Sequence, residues 1–68
     1  MSKASSLYAE AVAVHKAYNA KTAAQKLADI AQHKAAMHVL WDEFTTVKGP
    51  PMALSNNFSK LIDEVNAL

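Results

Sequence analysis

Apolar positions recur along this chain at helical spacing. Leu7, Ala11, Val14 and Tyr18 step by 4, 3 and 4, which puts them on one face of a helix, and Tyr8 and Val12 widen that face. The pattern predicts a first helix over 5–19, with Ser5 or Ser6 as its cap. Ala9, Ala13 and Ala17 form a second stripe of small residues. It reflects either plain helix propensity or the close approach of another helix.

The segment Asn19-Ala20-Lys21-Thr22 breaks the pattern. Thr22 followed by Gln25 is a capping box, in which hydroxyl and carboxamide each satisfy a backbone N–H of the new helix. A second helix follows, placed at 22–47 with no glycine or proline inside it. At 1.5 Å per residue it would span ~37 Å. Its apolar face drifts. Ala23, Ala24, Leu27, Ile30 and Ala31 share one side, and Met37, Leu40, Trp41, Phe44 and Val47 share another. Leu27, Lys34 and Trp41 are seven apart, as are Ile30, Met37 and Phe44, a repeat that favours left-handed supercoiling.

Gly49-Pro50-Pro51 ends this helix, because Gly accepts the left-handed conformation and Pro forbids continuation. A third helix is placed at 53–67, with Ser55 and Asn56 as alternative caps. Leu54, Phe58, Leu61, Val65 and Leu68 give it the cleanest stripe in the chain, with Ile62 beside them. The expectation is an all-α single domain spanning 1–68: a helical hairpin plus a third helix around one long central helix. The first helix should fold along the first half of the second, and the third along its second half.

Composition sharpens this reading. The chain has 68 residues, 51% of them hydrophobic, one glycine and two prolines. Fourteen alanines make it helix-prone. A domain this small buries only about 60% of the surface its unfolded chain exposes, so association is a natural aid to stability. With no cysteine, disulfides and thiolate metal sites are excluded. No apolar run reaches the roughly 18 residues of a membrane span. Glu10, His15 and Lys16 interrupt any signal-peptide core near the N-terminus, so a mature cytoplasmic protein is expected.

The charge is dipolar. Residues 1–40 hold five lysines against two acids, net +3, and residues 41–68 hold two lysines against four acids, net −2. There is no arginine, the residue that makes the commonest specific base contact. Lys16, Lys21, Lys26 and Lys34 form a candidate phosphate-contact patch, for which solvated outer faces are the plainer explanation.

No catalytic, cofactor or metal site emerges. His33 and His38 are five apart, roughly 140° around the helix, so they cannot share an ion within one chain. Each has an acid four residues away, Asp29 and Asp42, at the spacing of a surface hydrogen bond or ion pair. His15 could join one of them only through the tertiary fold. The five serines lie in caps or near termini, and the adjacent pairs Asp42-Glu43 and Asp63-Glu64 diverge by about 100°. An enzyme is not expected.

What remains is binding. Met37, Leu40, Trp41, Phe44, Tyr8 and Tyr18 are the interface candidates, Trp41 doubling as a core anchor against Phe58 or Leu61. The expected function is that of a small accessory factor, adaptor or inhibitor, offering an apolar helical face to a protein partner, with a homodimer as the expected assembly. Chains of this type are common among bacterial and phage accessory proteins. A lysine-mediated nucleic-acid-associated dimer and a purely structural oligomer are the alternatives.

Overall fold

The first helix is capped by Ser2, whose extended backbone (φ −72°, ψ 158°) lets its hydroxyl accept the Ser5 N–H at 3.2 Å. It therefore starts ahead of the expected Ser5 or Ser6 caps. In the computed structural model, which describes residues 2–68, the elements are α1 (Lys3–Asn19), α2 (Ala23–Thr45) and α3 (Met52–Asn66). The capping box opens α2 as expected: Thr22 Oγ1 accepts the Gln25 N–H, and Gln25 Oε1 accepts the Thr22 N–H, both at 3.3 Å.

The far end of α2 falls at Thr45, short of the expected Val47. The Thr45 hydroxyl donates to the Asp42 carbonyl at 2.8 Å, and the Thr46 hydroxyl donates to that of Glu43 at 2.6 Å. Both carbonyls lie in the last turn, where the helix itself supplies too few donors. Gly49 then reverses the chain at φ +67°. The cap of α3 is Pro51, with no side-chain hydrogen bond, and Ser55 and Asn56 lie inside the helix rather than at its cap. A proline fits there because the N–H it lacks would have had no helical partner.

The three helices form an up-down-up bundle. The turn end of the hairpin is fixed by the Tyr18 hydroxyl, which donates to the Lys26 carbonyl at 3.2 Å. At the other end Ala4 and Leu7 join Leu40 and Phe44 in one core. So α1 runs along all of α2, not only its first half. Ala4 and Ala11, both buried, are small enough to let the helices stay close over that length. As expected, α3 returns along the second half of α2: Phe58 packs on Trp41, and His38 Nε2 lies 2.7 Å from Asn66 Oδ1. The result measures 39 × 19 × 17 Å.

Phe58, Met37 and Val65 are the largest fully buried side chains. Around them lie Leu7, Leu40, Phe44 and Ile62. Ile62, expected at the edge of the α3 stripe, is near its centre, and Leu68 is exposed beyond the helix end. The alanine stripe Ala9, Ala13 and Ala17 is also exposed, so no helix of this chain covers it. Among the described residues no helix is long and apolar enough to cross a membrane.

Candidate functional site

The helical steps His33, Met37, Leu40 and Phe44 (4, 3 and 4) define the inner face of α2, and all four are buried. Met37, Leu40 and Phe44 mark this face by apolar character, and His33 does not. In the fold it faces α1. His15 Nδ1 lies 3.0 Å from His33 Nε2, the rings 17° from parallel with centroids 5.2 Å apart. That is an edge-to-edge hydrogen bond in the plane of the rings. Tyr18 covers one face of His33, its ring centroid 4.1 Å away and 2° from parallel. His15 and Tyr18 are three apart on α1 and so lie on one side of it.

Three charged groups lie near this cluster: Glu64, Lys21 and Asp29. Glu64 of α3 brings Oε2 to 3.9 Å from His15 Nε2, a weak pairing because the carboxylate is largely solvated. Lys21, in the connection, pairs with Asp29 of α2 at 2.8 Å. Neither acid bonds to the histidine four residues from it: Asp29 turns to Lys21, and His38 bonds Asn66 rather than Asp42. Burial, then the neighbouring His15, then Lys21 hold the His33 pKa below its ordinary value. Beside the cluster an open groove of about 440 Å³ runs between the helices, bordered by Val14, Lys21, Asp29, Gln32 and His33. Among the described residues no group of three or more His, Cys, Asp or Glu side chains converges as a metal site.

The interface candidates separate into two sets. Met37, Leu40, Phe44 and Tyr18 lie inside the chain's own core, so contact through them requires the bundle to open. Tyr8 and Trp41 keep part of their surface at the rim of the Phe58 cluster. The lysine candidates are dispersed in their engagements. Lys21 is held by Asp29, Lys34 Nζ donates to the Leu68 main-chain oxygen at 3.0 Å, and Lys16 and Lys26 have no acidic partner among the described residues.

The surface that sequence reasoning missed is the outer face of α2. Ala24, Ala28, Ala31, Ala35 and Val39 step by 4, 3, 4 and 4, with Leu27 alongside, and all six are exposed. Over ~22 Å of helix this face presents no charge. Of the charged residues in the same stretch, Asp29 borders the groove and pairs with Lys21, Lys34 reaches toward α3, and Lys26 is half-buried. The alanine-rich side of the drifting pattern overlaps this face only at Ala24, Leu27 and Ala31, and Ala28, Ala35 and Val39 lie outside it. No family model, curated protein or solved structure matches the chain.

Proposed function

We propose that this chain is a small protein-binding accessory factor that docks an apolar helix of its partner on the outer face of α2. The observation that carries this reading is the uncharged stripe from Ala24 to Val39, with Leu27 78% and Val39 57% exposed at its two ends. Alanine on a solvated face follows from helix propensity alone; a nearly bare leucine and a β-branched valine do not. Aligned apolar residues of this kind mark interaction surfaces more often than scattered ones do. Alanines let a second backbone come close, and the two larger side chains act as pegs.

A second copy of the chain is the simplest such partner. Packed antiparallel about a point between Ala31 and Gln32, it sets Val39 of each chain over Ala24 of the other, a large residue over a small one. The reading is of a binding protein rather than an enzyme, adaptor or inhibitor in role and of bacterial or phage type. Lack of cysteine suits a reducing cytoplasm.

The test is a double variant, Leu27→Glu with Val39→Glu. It should keep the helical circular dichroism and melting temperature of the parent, since both sites are exposed. It should lose either the dimer mass seen by light scattering at micromolar concentration or a stoichiometric protein partner retained by the parent. A parent that is monomeric and retains no partner that the double variant loses refutes the proposal.

A further inference from the structure

We infer that His15 and His33 form a proton-sensitive latch, which closes the turn end of the hairpin while His33 is neutral and releases it when both rings are protonated. The geometry sets this requirement. At 3.0 Å one nitrogen must carry hydrogen and the other a lone pair. Glu64 Oε2 lies 3.9 Å from His15 Nε2, the ring nitrogen that does not face His33. While at least one ring is neutral, one of the two nitrogens can donate and the other accept, whichever tautomers the rings adopt. Once both rings are protonated neither of the facing nitrogens can accept, N–H is set against N–H, and two cations lie edge to edge.

The other groups facing the pair do not relieve that conflict. Asp29, one turn before His33, is already neutralised by Lys21 at 2.8 Å, and Lys21 adds its own repulsion. From α3 comes Glu64, which is solvated and nearer His15. Only the ring face of Tyr18 favours a cation on His33. Burial and two like charges outweigh it, so the His33 pKa lies below 6.5.

The sign of the linkage follows. A histidine with a depressed folded-state pKa binds fewer protons folded than unfolded, so stability rises with pH. The contribution is complete above pH 6.5, begins to fall there, and levels off below the folded-state value. Loss should be local first. The residues around the turn, including Lys21–Gln25, lie beyond α3, whose last turn sits against His38. They are held by the Tyr18 hydroxyl on the Lys26 carbonyl, the Lys21–Asp29 pair and the histidine pair.

The test is a titration of the intact chain from pH 7.5 to 5.0, following imidazole nitrogens by NMR and amide exchange residue by residue. Protonation of His33 should coincide with loss of the Tyr18 ring-current shift on His33 and of amide protection in residues 14–33, while α3 stays protected. His33→Phe keeps a ring against Tyr18 but cannot titrate, and should remove the pH response. Should that variant fail to fold, His15→Gln keeps an N–H donor for His33 while deleting the second cation, and should weaken the response. His38→Gln should leave it intact. Protonation of His33 without change around Tyr18 and the turn overturns the latch, as does a His33 that stays neutral to pH 5.0. An unaltered response in His15→Gln also overturns it.

Discussion

Trp41 meets Phe58 edge to face, their centroids 5.1 Å apart and their planes at 62°. Phe58 also touches Phe44 at 4.7 Å and Tyr8 at 5.6 Å, so one ring of α3 is held by both other helices. It is fully buried. Each tilted aromatic pair adds roughly 0.5–1.5 kcal/mol beyond the area it buries.

Phe58→Ala removes all three contacts and leaves a cavity. The expected loss is about 3–5 kcal/mol. A core of this size rarely supplies more than about 3–5 kcal/mol in total. The variant should therefore be mostly unfolded at 25 °C, which urea titration by circular dichroism measures directly. Trp41→Ala should cost less, because Trp41 keeps one side in solvent. A Phe58→Ala protein that melts like the parent would remove Phe58 from the centre of the core.

Ala11 is completely buried between helices, whereas Ala13, two residues on, is exposed. Ala11→Leu should push α1 from α2 and destabilise by about 1–3 kcal/mol through overpacking. Ala13→Leu should stay within about 0.5 kcal/mol of the parent. Comparing the two denaturation midpoints separates tight packing at one alanine from helix propensity at the other, since the substitution is the same.

These alanines show how far the sequence was legible. Three helices, the hairpin and the Thr22 capping box follow from local rules, because caps and 3.6-residue periodicity act within a few residues. The packing of Trp41 on Phe58 was also accessible, since both lie on strong apolar stripes. Alanine carries no such signal. It is apolar enough to line a core, as Ala4 and Ala11 do, and innocuous enough to face water, as Ala24, Ala28 and Ala31 do. Counting it as core hid the outer face of α2. Counting histidine as surface hid the pairing of His33 with His15, which depends on how α1 lies across α2 and has no signature in local spacing.

Thr22 offers a local test of the hairpin. Thr22→Ala deletes the hydroxyl that accepts the Gln25 N–H and disables half of the capping box. The expected cost is ~1 kcal/mol. Thr22→Asp restores an acceptor and adds a negative charge at the positive end of α2, so it should match or exceed the parent. Salt should erode the gain of Thr22→Asp over Thr22→Ser, because a charge–dipole attraction is screened and a hydroxyl cap is not. Thermal melts at low and high ionic strength read this difference.

Gly49 separates backbone strain from steric crowding. Its φ of +67° is one that residues with a side chain rarely adopt, yet a Cβ added there would meet nothing within 4 Å. Any penalty must then come from the backbone alone. Gly49→Ala gains something by narrowing the unfolded ensemble, but the left-handed conformation costs about 1–2 kcal/mol for an L-residue. The net expectation is a loss of ~1 kcal/mol. Gly49→Asn should recover part of it, because asparagine enters this conformation more readily. If Gly49→Ala and Gly49→Asn unfold at the same denaturant concentration as the parent, the turn between α2 and α3 is not locked by a left-handed residue and closes by another route.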